Sequence, residues 1–378
     1  MRVEDAETEL RAWLRLAAVP GLDGARALAL VRHCGSAEAV LRAPMETAAA
    51  LGLGPGAVAA LRTHPVTLEA SLRWAGVPGR AIVRAGGAGY PPQLLAIGGA
   101  PVLLYVRGNA GALAAAQVAI VGSRNPTPAG RETARAFARR ITLAGLVVTS
   151  GLAVGIDAAA HRGALEAGGR TIAVCGTGAD LVYPAGHVAL ADSIAAAGAL
   201  VTEFPPGTPP LPGNFPQRNR LISGLSLGVV VVEAAERSGS LITARLAGEQ
   251  GREVFAVPGS IHNPLSRGCH RLIRDGARLV ESAEELLDGL QHDLFLAVMP
   301  NSAQAADAPR VSGPALDSDC KILLNACGFG PVDADILVER TGFSAAAVSS
   351  KLLLLELMGE IEPCAGGRYC RIPTGSSG

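Results

Sequence analysis

Glycine-rich turns follow three apolar segments of the chain, and their residue types are those that bind anions. The turns lie at residues 122–125, 150–157 and 175–180. Glycine lets backbone N–H groups and the start of the next helix approach an anion closely, and a planar guanidinium fits a phosphate. The turns therefore predict a phosphate-binding edge that includes Gly122, Ser123, Arg124 and Gly151.

Two later loops carry further candidates for the same edge. The segment 214–222 begins a predicted helix, and the segment 238–240 begins another one after the apolar run 229–232. Hydroxyls, backbone amides and guanidinium groups at helix N-termini suit phosphate oxygens. Solvated arginines at a helix end are the alternative interpretation of the first segment. The residues added to the predicted edge are Arg218, Asn219, Arg220, Ser238, Gly239 and Ser240.

Motifs for nucleotide-dependent chemistry are incomplete. The only two lysines, Lys321 and Lys351, stand outside any G-x-x-x-x-G-K-[ST] loop, which excludes a P-loop ATPase. The pair Gly176 and Gly178 lacks the third glycine of a dinucleotide fingerprint, because Leu181 stands in its place. We therefore predict that the protein has no nicotinamide, flavin or ATP cofactor.

Candidates for acid–base or metal chemistry are isolated. Asp157 and His161 lie one helical turn apart, a spacing that fits an acid–base pair or half of a metal site. No second His or Cys stands at a ligand-like spacing, and capping explains an Asp in the first turn of a helix, so we favour a structural role. Ser123 and Ser150 lack a G-x-S-x-G elbow. The sequence predicts neither a catalytic centre nor a metal site.

Composition limits the kinds of protein this can be. Lys plus Arg and Asp plus Glu both number 33, so the net charge is zero and any polyanion site must be local. Seven cysteines without a C-x-x-C pair, and a charged N-terminus, predict a protein of the reducing cytoplasm. No apolar run reaches the length of a membrane helix. With only two Trp, four Tyr and seven Phe, we expect no base-stacking platform of the kind found in OB-folds.

The elements that position these residues suggest three domains and a linker. From residue 118 onward, continuous apolar runs alternate with helical segments, which predicts an α/β fold with a Rossmann-like, doubly wound parallel sheet in domain 80–297. Residues 1–79 read as short helices broken by glycine turns, resembling a SAM-like or helix-hairpin-helix domain. Residues 298–319 read as a linker, and in 320–378 three helices and a hairpin predict a winged helix.

The blocks at these strand ends resemble the DNA-processing protein A (DprA, or Smf) family. They cover about residues 105–280 in the family's order, and together they are highly specific. The matching blocks are Ile120–Arg124, Ser150–His161, Thr171–Pro184, Phe215–Arg220, Val232–Ala234, Ser238–Ala244 and Val257–Gly259. Many members of the family also carry an N-terminal SAM-like domain and a C-terminal winged-helix-like domain.

The resemblance implies a recombination mediator without enzymatic activity. Such a protein binds and protects incoming single-stranded DNA and loads the RecA recombinase during natural transformation. By this resemblance Arg124, Arg218 and Arg220 would hold phosphates, and Ser123, Gly151 and the loop 238–240 would donate or accept hydrogen bonds. Some members have a basic residue in the loop after Tyr-Pro, where this chain has Ala185, Gly186 and His187.

The resemblance also implies a homodimer that forms through the late part of the sheet domain. Leu272 and Ile273, beside Arg271 and Arg274, are candidates for that face. Ordinary burial of the two apolar residues is the alternative interpretation.

Two other classes of function stay open at this point. A phosphoribohydrolase-like nucleotide hydrolase has a similar sheet edge, but its P-G-G-x-G-T loop is broken here at residues 258–261. A transcription regulator would act through the winged helix. Residues 321–372 carry five basic and six acidic side chains, and the segment 344–358 has Lys351 as its only cation. We therefore expect this module to add little DNA affinity.

Overall fold

A nine-stranded sheet forms the centre of the first of two compact units, which comprise residues 1–300 and 301–378. The computed structural model describes residues 3–44, 53–290, 318–327, 332–357, 361–364 and 368–371. The strands of the large sheet are β1 Arg80–Arg84, β2 Leu103–Gly108, β3 Gln117–Val121, β4 Val147–Ser150, β5 Thr171–Val174, β6 Ala199–Thr202, β7 Gly228–Val231, β8 Glu253–Ala256 and β9 Arg278–Leu279. Their spatial order is β1-β2-β6-β5-β4-β3-β7-β8-β9.

Helices flank this sheet on both faces. They are α1 Val3–Ala17, α2 Gly24–Cys34, α3 Ala37–Arg42, α4 Pro55–Ala60, α5 Leu68–Ala75, α6 Pro92–Leu95, α7 Pro128–Leu143, α8 Ile156–Glu166, α9 Val188–Ala197, α10 Asn214–Leu225, α11 Gly239–Glu249, α12 Arg267–Arg274 and α13 Ala283–Gly289. Within the described ranges, no helix is both long and apolar enough to cross a bilayer.

The parallel part of the sheet is buried on both faces. Successive residues of β3 enter two different cores, with Ala119 and Val121 in one and Val118 and Ile120 in the other. The second core also holds Phe137 of α7, whereas the first is shared with α10 and α11. Strands that bury every side chain read as continuous apolar runs. The predicted doubly wound parallel sheet is therefore confirmed.

The strand order reverses between β3 and β7. From β3 the chain proceeds through β4 and β5 to β6 in one direction, and it then returns to place β7 on the other side of β3. Ligands of doubly wound sheets bind beyond the carboxyl ends of the strands at such a reversal. The turn at 122–125 and the loop 232–240 both leave the sheet at this point.

Two antiparallel strands extend the sheet beyond the predicted parallel set. β1 pairs with β2, and β2 pairs with β6, both antiparallel. Neither strand was predicted from the sequence, where the first predicted strand begins at residue 118. Arginines stand at both ends of β1, which lies at the edge of the sheet and is only partly buried. An edge strand of this kind lacks the continuous apolar run that marks a buried one.

The N-terminal helices share one hydrophobic core with this edge of the sheet. Trp13 of α1 and Leu104 of β2 belong to the same buried cluster. The Trp74 indole N–H donates to the carbonyl oxygen of Ala179 at 3.2 Å. The first glycine turn ends at Gly24, whose N–H donates to the carbonyl oxygen of Ala100 at 2.6 Å. Residues 1–79 were predicted as a separate domain, but their described part packs as one unit with the sheet.

The second unit contains three helices and a small sheet. Its elements are α14 Ser318–Cys327, β10 Val332–Asp333, α15 Ala334–Thr341, α16 Ala345–Leu357, β11 Ile361–Cys364 and β12 Arg368–Arg371, with strand order β10-β12-β11. The core includes Leu323, Leu337, Val348 and Leu352. This arrangement is the predicted winged helix. Of the predicted linker 298–319, only residues 318 and 319 are described, and they begin α14.

Candidate nucleic-acid interface

A cleft of about 740 Å³ opens at the carboxyl ends of β3 and β7. Its position is the reversal point of the strand order, and it draws residues from the loops after five strands, β3 to β7. Polar and basic groups lie beside two aromatic rings. The lining of the cleft includes Gly122, Ser123, Arg124, Asn125, Asp157, Tyr183, Phe215, Arg218, Asn219, Arg237, Ser238, Gly239 and Ser240.

The turn after β3 is fixed by contacts within the protein. A Cβ on Gly122 would lie 2.7 Å from Cγ1 of Ile156 and 2.8 Å from the carbonyl oxygen of Glu233, so only glycine fits there. The N–H of Ser123 donates to that same carbonyl at 2.6 Å, and the Ser123 hydroxyl accepts from the N–H of Asn125 at 3.1 Å. Gly122 and Ser123 therefore hold the turn in shape and leave Arg124 exposed on it.

Arg124 lies over an aromatic ring in the cleft. Its Cζ is 5.8 Å from the ring centroid of Phe215, and the Phe215 ring is in turn 5.6 Å from that of Tyr183. The Tyr183 side chain is exposed. No stacking platform was expected from the sequence, because aromatic residues are few. That count says nothing about location, and two of those residues line this cleft.

Arg218 lies beneath the cleft as a buried residue. It is 4% exposed, and its Nη1 donates to the carbonyl oxygens of Gly151, at 2.6 Å, and Val174. The carboxylate of Asp157 accepts the N–H groups of Gly151 and Ala153 at 3.1 and 3.3 Å. Burial lowers the pKa of Arg218 and raises the pKa of Asp157, and each opposes the other's shift by its opposite charge.

Arg218 and Gly151 both make contacts within the protein, and of the two only Arg218 also lines the cleft. The guanidinium of Arg218 ties together the ends of β4 and β5, and its Nε is buried without a partner within the described structure. Gly151 does not line the cleft. A Cβ there would lie 2.4 Å from Nη1 of Arg218, so this glycine makes room for the arginine.

Arg220 lies outside the cleft. It is two residues beyond Arg218 on α10, and two residues rotate a side chain by more than half a turn around a helix. Its Nη2 forms an ion pair with Glu203, and it lines a separate cavity beside Asp23 in the N-terminal glycine turn. The structure therefore brings Arg218, but not Arg220, to the cleft at the predicted edge.

The loop before α11 presents a helix N-terminus to the cleft. The Ser238 hydroxyl accepts from the N–H of Ser240 at 3.3 Å, and the two hydroxyl oxygens are 2.7 Å apart. Gly239 is exposed with open space where a Cβ would be, and its carbonyl accepts from the Asn219 amide at 3.5 Å. The positive end of the α11 dipole therefore faces the cleft.

Arg237 is a cleft residue that was not predicted from the sequence. It is exposed and directly precedes the cap of α11. Its neighbour Ser238 was identified, so the available signal was a cation adjacent to a predicted helix N-terminus. With Arg124 it makes two exposed guanidinium groups on opposite sides of the strand reversal.

His161 does not contribute to the cleft. It is fully buried on α8, where Nδ1 lies 2.7 Å from the Thr171 hydroxyl. Burial, reinforced by His187, Arg218 and Arg162, lowers the pKa of His161 to about 3. The described residues contain no cluster of three potential metal ligands. The geometry thus supports the structural role that we favoured for Asp157 and His161.

Family models match both units of the chain. The model described as DNA recombination-mediator protein A matches residues 81–291, and the DprA winged helix domain model matches residues 306–367. Protein Smf of Escherichia coli (strain K12) is 46% identical over 309 residues, which is 81% of each chain. DNA processing protein DprA of Streptococcus pneumoniae is 49% identical over 198 residues, covering 52% of this chain and 70% of that protein.

Two solved structures are similar in both fold and sequence. The X-ray structure of DNA processing protein A from Streptococcus pneumoniae has a TM-score of 0.64 and 38% identity, covering 74% of this chain and 97% of that chain. The protein of the same name from Helicobacter pylori, described with its single-stranded DNA binding mode, has a TM-score of 0.52 and 29% identity, covering 57% and 96%.

Proposed function

Because this chain belongs to the DNA recombination-mediator protein A family, we propose that it binds single-stranded DNA in the cleft between β3 and β7. The observation that carries the proposal is the exposed Arg124 guanidinium over the Phe215 ring, at the reversal point of the sheet. Guanidinium groups attract phosphates, and ring faces stack on unpaired bases. A duplex keeps its bases stacked on each other, so this combination favours a single strand.

Each part of the cleft has a distinct role in this proposal. Arg124 and Arg237 neutralise phosphates from the two sides, and the start of α11 offers backbone N–H groups and dipole to a phosphate between them. Phe215 and Tyr183 stack on bases. Nothing in this set reads the edge of a base, so binding is independent of sequence.

Arg218 contributes as a positioning residue. Its carbonyl contacts hold the ends of β4 and β5 together beneath the cleft. Gly122 and Ser123 act in the same way, by shaping the turn that presents Arg124, and Gly151 acts by leaving room for the Arg218 guanidinium. Arg220 pairs with Glu203, and the Asn219 amide donates to the Gly239 carbonyl, so both hold α10 against neighbouring segments. We assign Arg220 no phosphate contact in this cleft.

We further propose that the bound strand is protected and passed to the RecA recombinase during natural transformation. The description of the family as recombination mediators supports this step. The proposed location is the reducing cytoplasm that the cysteine pattern predicts.

A homodimer through the late part of the sheet domain completes the proposal. Leu272 and Ile273 are partly buried against the unit's own core, whereas Ile261 and Leu279 are 74% and 48% exposed. Within this late part of the sheet domain, the exposed pair is therefore the apolar surface that we propose for the dimer contact.

We propose no catalytic activity for the cleft. Asp157 is the single carboxylate among the described residues that line it, and two backbone N–H groups and Arg218 occupy its surroundings. A hydrolase of the phosphoribohydrolase type needs an accessible catalytic Glu. The test is nucleotide hydrolysis by the full chain, where turnover that follows the protein through purification would contradict the proposal.

The experiment that tests the cleft is a binding titration with single-stranded and duplex DNA. We expect Arg124→Ala with Arg237→Ala to weaken single-strand binding at least tenfold and to lower the salt slope by about 0.7 per lost phosphate contact. Arg124→Lys keeps the charge but loses the planar contact with Phe215. Its affinity should therefore lie between that of Arg124→Ala and that of the native chain. The matched control is Arg32→Ala with Arg73→Ala, two exposed arginines outside the cleft. Equal affinity of the cleft variant, the control and the native chain would disprove the site.

A further inference from the structure

A band of arginines lies along α7 and α8, beyond the cleft. Residues 128–170, which contain both helices, carry six arginines and three acidic residues, whereas the rest of the chain has three more acidic than basic residues. One of the three acidic residues, Asp157, is buried beside Arg218. The chain is neutral as a whole but has a local positive surface along these helices. We call this surface the arginine seam and define it as Arg131, Arg135, Arg139 and Arg162.

Three members of the seam share one face of α7. Arg131, Arg135 and Arg139 are spaced four residues apart, so their side chains follow one another along the helix over about 12 Å. The buried face of α7 is formed by other positions, among them Ala134 and Phe137. Arg131 and Arg139 are exposed, and the Arg135 side chain is 41% exposed.

The fourth member comes from α8, which packs closely on α7 at this point. A Cβ on Gly163 would lie 2.4 Å from the carbonyl oxygen of Arg135, so the two backbones are in contact there. Arg162 directly precedes Gly163 and is exposed. It therefore lies beside this contact between the two helices.

Most of the seam's charge is uncompensated. Arg135 forms an ion pair with Glu166. Arg131, Arg139 and Arg162 form no ion pair with any residue that the structure describes. Helix pairs elsewhere in the molecule, such as Arg245 with Glu249 and Arg271 with Asp275, place an acid four residues away. The seam instead places arginine after arginine at that spacing.

The seam begins at the cleft. Asn125 lines the cleft, and α7 starts three residues later at Pro128. The carboxylate of Glu233, at the end of β7, holds Thr127 at the start of this helix. Arg131 therefore stands in the first turn of α7 next to the cleft, and the other seam residues lead away from it along the helix.

We infer that the arginine seam is a second phosphate-binding track, which holds the part of a single DNA strand that extends beyond the cleft. The inference rests on the proposed function of the cleft. The occupant is the phosphate backbone of the same strand, because the seam offers guanidinium groups at regular spacing and no aromatic ring. Such a track adds affinity for strands that are long enough to reach it, and it is independent of base sequence.

The test compares two oligothymidines with the full-length protein. One of about 6 nucleotides is short enough to occupy the cleft alone, and one of about 20 nucleotides also reaches the seam. The variant is Arg131→Gln with Arg139→Gln, which removes two exposed arginines that have no ion pair among the described residues. The control is Arg32→Gln with Arg73→Gln, which makes the same change of charge on α2 and α5.

We expect the seam variant to bind the short oligothymidine like the native chain and the long one several-fold more weakly. Its salt slope for the long oligothymidine should fall by about 1.4, for two lost phosphate contacts. Equal weakening for both lengths, or the same small effect as in the control, would overturn the seam. If the native chain binds neither oligothymidine, or if Arg124→Ala leaves the short one unaffected, the proposed cleft itself fails.

Discussion

The carboxylate of Glu233 accepts two hydrogen bonds from Thr127, one from its backbone N–H at 2.8 Å and one from its hydroxyl at 2.7 Å. Glu233 follows β7, and Thr127 is the N-cap of α7. A side-chain anion therefore occupies the helix start at which dinucleotide-binding proteins of this fold hold a pyrophosphate. The N-cap residue of α7 is therefore held by a contact within the protein.

Replacing Glu233 should expose this helix start to solvent anions. We expect Glu233→Ala to lower the free energy of unfolding by about 2 kcal/mol, because it leaves the Thr127 N–H unpaired and removes charge from the helix N-terminus. Inorganic phosphate should then stabilise the variant more than the native chain in urea unfolding. If phosphate stabilises both proteins equally, the carboxylate does not occupy an anion position.

Arg218 and Asp157 should depend on each other for stability. Arg218→Met removes the cation beside a buried carboxylate and leaves two carbonyls without their donor, so we expect a loss of about 3 kcal/mol in unfolding free energy. Adding Asp157→Asn removes the uncompensated charge and should restore part of that loss. The comparison of both single variants with the double variant measures the coupling, and simple additivity of the losses would contradict it.

His161 should make the protein sensitive to mild acid. Its pKa is about 3 in the folded chain and 6.5 when unfolded, so only the unfolded chain takes up this proton between those two values. Stability from this group is therefore complete above pH 6.5 and is lost as the pH falls, by up to about 1.4 kcal/mol per unit. Chemical unfolding across this pH range measures the free energy of unfolding of the native chain and of His161→Gln. That free energy should depend less on pH in the variant. Parallel profiles would show that His161 is not buried neutral.

Removing the winged helix should leave most single-strand affinity in place. Lys351, the only cation of α16, forms an ion pair with Asp319 at 3.3 Å, and Val348, Leu352 and Leu355 pack in the core of the unit. A chain ending at residue 300 contains the whole first unit, so its affinity should stay within about tenfold of the native chain, or about 1.4 kcal/mol. A larger loss, with folding and oligomeric state unchanged, would assign DNA binding to the second unit.

The sequence by itself determined the parallel sheet and the turn that carries Arg124. Continuous apolar runs mark strands that are buried on both faces, and that signal lies within a few neighbouring residues. Gly122 in the turn 122–125 and the N-cap residue Ser238 are equally local signals. Local sequence alone was therefore enough to predict the strands of the buried set and two of the loops that line the cleft.

Only the tertiary structure decided what each arginine does. Arg218 and Arg220 have the same type and nearly the same position, yet one donates to carbonyls that lie 67 and 44 residues away in sequence and the other pairs with Glu203. Partners at such separations are set by how α10 packs across β4 and β5, which no local pattern encodes. The same holds for Phe215 beneath Arg124, because the start of α10 meets the turn after β3 only when the strand order reverses between β3 and β7.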